Sequence, residues 1–270
     1  MHIFNSNLNT IVSKVPQVTL AFWVVKILAT TLGETGGDAV TMSWLGETTA
    51  EPTVNGYLIG TAIFGVIFAA AVLAQIKAKK FHPFLYWLTI VATTMVGTTL
   101  ADYCTRSLGI GYTGGSTILL IFVMASLLTW RWSTGSVSID TVNTPKVESF
   151  YWVTIMFSQT LGTALGDWVA ETHDMGYVGA AAVFGGLLLL TALLYYFTSI
   201  SRIILFWAAF ILTRPLGAVV GDFFDKPFEQ GGLALSRYTA SLALLLVIVV
   251  LILIFPQKPA SKRIETARAQ

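Results

Sequence analysis

Residues 54–76, 107–130, 175–201 and 238–257 contain no Asp, Glu, Lys or Arg. A helix that crosses a bilayer needs about 20 predominantly apolar residues. It also satisfies its own backbone polar groups, which lipid cannot do. Four such runs in one chain are hard to house in a soluble core. Between them, residues 17–38, 83–102, 149–167 and 203–222 reach the same length with few charges. Only 11% of the 270 residues are charged, against about a quarter in a soluble domain. The expected fold is an all-α polytopic membrane protein with eight transmembrane helices. The first span carries acidic residues and no small-residue cleavage site follows it, so it reads as a retained helix rather than a signal peptide. The single cysteine, Cys104, excludes an intrachain disulfide and a cysteine-rich metal cage.

Lys and Arg set the expected orientation, because cytoplasmic loops carry their excess. With the N-terminus inside, the inner side holds Lys14, Lys77, Lys79, Lys80, Arg131, Lys146, Arg202, Lys258, Lys262, Arg263 and Arg268. The outer side holds Arg106, Lys226 and Arg237. Both termini are therefore expected in the cytoplasm. The outer loops are acidic, with Glu47, Glu51, Glu171, Asp174, Asp225 and Glu229. Residues 257–270 read as a short, basic, mobile cytoplasmic tail.

The chain repeats itself. Trp23, Trp87, Trp152 and Trp207 are each followed ten residues later by glycine: Gly33, Gly97, Gly162 and Gly217. Five residues further each copy has aspartate: Asp38, Asp102, Asp167 and Asp222. The pattern W-x9-G-x4-D has no gap in any copy. "GYLIG", "GYTGG" and "GYVGA" then open three of the returning spans. Each repeat is one outward span ending in aspartate, a loop and one returning span. The boundaries fall near 16–80, 81–142, 143–199 and 200–256, within a single membrane domain. Four parallel repeats share one orientation and can form a pseudo-symmetric bundle about an axis along the membrane normal. The tryptophans fall where interfacial anchors are ordinary.

The chain resembles a family of bacterial membrane proteins built from four tandem repeats of unknown function. In that family each repeat has two transmembrane segments and a characteristic tryptophan, which Trp23, Trp87, Trp152 and Trp207 match. The resemblance covers about Pro16 to Phe255. It implies an eight-helix fold in the bacterial inner membrane and implies no function.

The chemistry has to come from the residues. Positions i−4 and i−8 lie below residue i on one helix face. At −4 from the aspartates stand Glu34, Thr98, Thr163 and Ala218, and at −8 Thr30, Thr94, Gln159 and Arg214. At −12 stand Lys26, Ile90, Ile155 and Phe210. The residues at −5 are all glycine and those at −1 are Gly37, Ala101, Gly166 and Gly221. Small residues let membrane helices approach closely. Polar residues normally face the bundle interior or a cavity. An aspartate at a helix C-terminus has the wrong sign for the dipole, so four of them call for compensation. Four Asp and Glu34 give five negative charges, and Lys26 and Arg214 return two. The deficit of three suits a divalent cation with a proton on one carboxylate.

Asp38, Asp102, Asp167, Asp222 and Glu34 are therefore the candidate metal ligands. Thr98, Thr163 and Gln159 are further cation-binding groups, and Lys26 and Arg214 are modulating charges. An all-oxygen set suits Mg²⁺, Mn²⁺ or Ca²⁺. His173, with Glu171 and Asp174, tilts the choice slightly toward Mn²⁺, although the stretch also reads as a solvated loop. Pro215 is expected to kink the seventh helix. The expected function is cation transport, most concretely of a divalent metal ion such as Mn²⁺ or Mg²⁺, with protons as a coupling ion. A channel or a small-organic-cation transporter uses the same acidic ring. A structural or accessory membrane protein would use the polar stripe only to hold helices together. No enzyme motif and no resident cofactor are expected. The expected partners are the lipid bilayer and the cation, and not nucleic acid.

Overall fold

The computed structural model describes residues 9–47, 55–172 and 175–264. Their order is β1 (Asn9–Pro16), α1 (Leu20–Asp38), α2 (Gly56–Lys77), α3 (Pro83–Asp102), α4 (Gly111–Thr134), α5 (Pro145–Thr172), α6 (Gly176–Phe197), α7 (Arg202–Asp225), α8 (Arg237–Ile254) and β2 (Pro259–Ile264). Six helices, α2, α3, α4, α6, α7 and α8, are long and apolar enough to cross a membrane. The chain is a multi-pass membrane protein. The remaining two, α1 and α5, carry more charge: Lys26, Glu34 and Asp38 in one, Lys146, Glu148, Asp167 and Glu171 in the other.

Local signals start and stop the helices. The Thr19 hydroxyl accepts from the Phe22 amide and caps α1. Asn55 does the same for Leu58 of α2. Pro83 opens α3, a position where its missing N–H costs nothing. Gly135 ends α4 in the left-handed region at φ 79°, as a C-terminal glycine commonly does. Directly after Asp38 and Asp102 the helices widen into π-helical turns, Ala39–Trp44 and Tyr103–Ser107.

The odd helices form a closed ring: α1 packs on α3, α3 on α5, α5 on α7 and α7 on α1. The repeated glycines explain the close approach. Each glycine at −5 faces the residue at −8 on the next odd helix: Gly33 faces Thr94, Gly97 faces Gln159, Gly162 faces Arg214 and Gly217 faces Thr30. A Cβ on Gly97 would stand 2.8 Å from the Gln159 carbonyl carbon, so no larger residue fits there without movement. One turn on, the small residues at −1 meet the residues at −4. Gly37 faces Thr98, Gly166 faces Ala218 and Gly221 faces Glu34. The stripe of small residues thus covers the polar stripe of its neighbour.

A second ring closes the end opposite the aspartates. Each repeat pairs an aromatic residue with its tryptophan edge-on: Phe22–Trp23, Tyr86–Trp87, Tyr151–Trp152 and Phe206–Trp207, with centroids 5.1–5.4 Å apart. Phe22 then meets Trp87, Tyr86 meets Trp152, Tyr151 meets Trp207, and Phe206 meets Trp23. Trp87, Trp152 and Trp207 are therefore core residues, and Trp23 is partly buried against the same cluster. Trp87, Trp152 and Trp207 are 1–4% exposed. Offset and edge-on aromatic contacts contribute beyond their buried area, which gives the repeated tryptophan a packing role.

The even helices lie outside the ring, and α2, α4, α6 and α8 pack chiefly on α3, α5, α7 and α1. One further expectation changes. Residues 259–264 are a strand, not a mobile tail: β2 pairs antiparallel with β1, Thr10 with Arg263 and Pro16 with Pro259. From β1, the Lys14 ammonium donates to the Gln75 and Ile76 carbonyls at the C-terminus of α2, and lies 2.7 Å from Glu148. A cation suits a helix C-terminus, so the sheet ties α2 to α5. Pro215 lies inside α7, which runs as one helix from Arg202 to Asp225.

Candidate functional site

The ring brings the −8 and −4 positions of α1, α3, α5 and α7 to one level, and Arg214 occupies it. Its side chain is fully buried. Nε donates to the Gln159 carbonyl and Nη1 to the Thr30 carbonyl, both at 3.2 Å. Nη2 donates to Glu34 Oε2 at 3.0 Å, to Thr98 Oγ1 at 2.6 Å and to Thr163 Oγ1. One guanidinium thus holds the other three odd helices across the axis. Its rigid fork of five donors suits this role. Thr98 and Thr163, expected to hold a cation, hold Arg214. Gln159 is fully buried, with no hydrogen-bond partner for either side-chain polar atom among the described residues.

Beyond Arg214 the aspartates divide into two pairs, each on one cation. The Lys226 ammonium lies 2.6 Å from Asp38 Oδ2 and 3.0 Å from Asp222 Oδ1. Arg106 lies 3.0 Å from Asp102 Oδ1, 3.5 Å from Asp167 Oδ2 and 3.3 Å from Glu171. Both cations follow their own helix's aspartate by four residues, one turn on. The signal is in the sequence: D-x3-R in the second repeat and D-x3-K in the fourth, with Met42 and Glu171 at that offset in the first and third. Counted as loop charges, Arg106 and Lys226 escaped the charge balance. With Arg106 and Lys226 added to Lys26 and Arg214, the formal count is five carboxylates against four cations, a deficit of one rather than three.

Among the described residues, Glu34, Asp38 and Asp222 come together closely enough to share a cation. One ligand oxygen from each lies within 4.8 Å of the others, and all three residues are buried. Asp38 Oδ1 is buried with no hydrogen-bond partner among the described residues. Asp102 and Asp167 belong to the Arg106 pair instead. On the opposite side of Arg214, Lys26 is fully buried on α1. Its ammonium lies 3.4 Å from Thr213 Oγ1 and 4.1 Å from the centre of the Phe210 ring. A cation over an aromatic face is attracted by the ring quadrupole.

A cavity of about 500 Å³ adjoins the aspartate end. Lys226, Arg106, Arg237 and Asp225 line it with Ser43, and Arg237 lies 2.6 Å from Asp225. Lys226 therefore faces the cavity on one side and the acidic cluster on the other. Glu51, His173 and Asp174 lie outside the described residues.

The family described as Repeat of Unknown Function (DUF347) matches this chain four times, over residues 21–81, 85–136, 150–201 and 205–258. No curated protein and no solved structure matches it. Each matched segment contains one aromatic–tryptophan pair, one −5 glycine and one aspartate of the rings above, so the chain belongs to this family of tandem-repeat membrane proteins.

Proposed function

We propose that the chain crosses the bacterial inner membrane eight times as a pseudo-symmetric bundle of four two-helix repeats, with both termini in the cytoplasm, and that it carries cations through a site at Glu34, Asp38 and Asp222. The excess of Lys and Arg at the strand end supports the orientation. The cyclic contacts of the odd helices support the bundle.

The observation that carries the transport reading is the convergence of three buried carboxylates with one oxygen unpartnered. Intramembrane ionisable residues are expensive and mark ion pathways. The Lys226 ammonium occupies the position of a bound cation. A substrate entering from the adjoining cavity displaces it, and Lys226 swings into that cavity. Carboxylate oxygens suit Mn²⁺ or Mg²⁺, and a proton on one carboxylate is the simplest coupling ion. Arg214 spans the axis, which favours a carrier over a channel.

The test is flux in proteoliposomes, comparing Mn²⁺, Mg²⁺, Ca²⁺ and small organic cations. Asp38→Asn should reduce flux at least tenfold while the protein stays folded. Equal flux in parent and variant would remove the site. A second reading, an accessory membrane protein, is favoured by one observation: each of the four aspartates already faces Lys226 or Arg106. Absence of flux for every cation tested would move that reading to first place.

A further inference from the structure

At the strand end a cavity of about 1000 Å³ opens on the flank of the bundle between α1, α6 and α7, next to the Lys258–Ser261 segment. It exists because α6 packs on α7 while α8 covers α1, leaving the space between α1 and α6 unfilled. Along α7 its lining runs from Arg202 to Thr213. Eleven residues at 1.5 Å each make that about 16 Å.

The lining is graded. Phe206 and Ala209 contribute apolar surface along its length, while Arg202 and Lys258 lie at the strand-end rim. Arg202 is held in place: its guanidinium lies 4.3 Å from the centre of the Tyr195 ring and donates to the Tyr195 carbonyl. Asp140 is the acidic residue of the lining, and its carboxylate accepts from the Ser138 hydroxyl at 3.2 Å. Two cations against one carboxylate leave the lining net positive. Leu20 in the lining is 81% exposed, as residues bordering hydrocarbon are.

We propose that this cavity binds one anionic phospholipid of the adjacent leaflet, with the phosphate between Arg202 and Lys258 and an acyl chain along Phe206 and Ala209 toward Thr213. Leu188, Leu189, Ile203, Phe206 and Ala209 give the cavity an apolar wall, and lipid chains are the apolar molecules at hand. A basic rim between helices selects a headgroup with net negative charge. Thr213 precedes Arg214 and contacts Lys26, so the bound chain braces α7 beside the residue that crosses the axis.

The test uses the full chain in mild detergent, given phosphatidylglycerol or phosphatidylcholine with the same acyl chains. Retained lipid is read by native mass spectrometry and stability by thermal shift. One phosphatidylglycerol should remain per chain and raise the melting temperature, and phosphatidylcholine should do neither. The double variant Arg202→Gln/Lys258→Gln should lose retention at least tenfold. Ala209→Trp keeps both charges and fills the cavity, so it should also lose the lipid. Equal retention of the two lipids overturns the proposal, as does unchanged phosphatidylglycerol retention in either variant. If the double variant does not fold, Ala209→Trp decides.

Discussion

Lys226 and Asp38 are 188 residues apart in sequence, yet their charged atoms lie 2.6 Å apart. The same ammonium holds Asp222, so one side chain links the first repeat to the last and closes the ring at its aspartate end.

Removing that link should destabilise the protein and make room for a cation. Lys226→Ala leaves Asp38 and Asp222 buried without their ion-pair partner, and breaking a buried pair in this way costs about 3–5 kcal/mol. The expected result is a lowered melting temperature, with Mn²⁺ or Mg²⁺ raising it more than in the parent. The Asp38→Asn/Lys226→Ala double variant should lose that metal-dependent rise. Thermal shift with and without metal checks both.

Arg214→Ala should act at a different level. It leaves Glu34 and the Thr98 and Thr163 hydroxyls without their common donor. Loss of a buried ion-pair partner again costs about 3–5 kcal/mol. Glu34→Gln alone should cost less, because the neutral amide still accepts from the guanidinium. A double-mutant cycle on Glu34 and Arg214, read by denaturation in detergent, should give a coupling of about 0.5–3 kcal/mol. A coupling near zero would mean that the guanidinium is held by the threonines and carbonyls alone.

The glycines provide a paired test. Gly97→Leu and Gly162→Leu each force a side chain into the neighbouring odd helix and should destabilise by about 1–3 kcal/mol. Gly65→Ala and Gly185→Ala meet nothing within 4 Å and should be neutral or slightly stabilising, since glycine within a helix costs about 0.5–1 kcal/mol relative to alanine. Melting curves of the four variants check the contrast.

The aromatic ring predicts a similar contrast among tryptophans. Trp87→Ala empties a buried site between Phe22 and Tyr86 and should cost about 3–5 kcal/mol. Trp132 is 81% exposed, and Trp132→Ala should change stability little. Similar losses from both would mean that the ring contributes no more than an exposed side chain does.

Much of this arrangement was written in the sequence. Helical runs and their order follow from apolar length and charge, which are local properties. The fourfold W-x9-G-x4-D phase marked in advance the residues that meet at each level, because equivalent positions on parallel helices share one depth. The faces on which Glu34, Thr98, Thr163 and Arg214 lie were legible from spacing by four. Only the closed ring decided what those faces touch. The glycine stripe of one helix covers the polar stripe of the next, and this depends on interhelical rotation that no single-helix periodicity encodes. The tryptophans look interfacial when depth alone is known, and rotation toward the neighbouring repeat buries Trp87, Trp152 and Trp207. Arg106 and Lys226 follow the helical cores and read as loop charges. One further turn of helix carries each back over its own aspartate, and ring closure brings the second aspartate to it. The β1–β2 pairing joins segments about 250 residues apart, and a strand pair of such separation leaves no local signal. Hydrophobic length sets the elements, and backbone approach at Gly33, Gly97, Gly162 and Gly217 sets which charges meet.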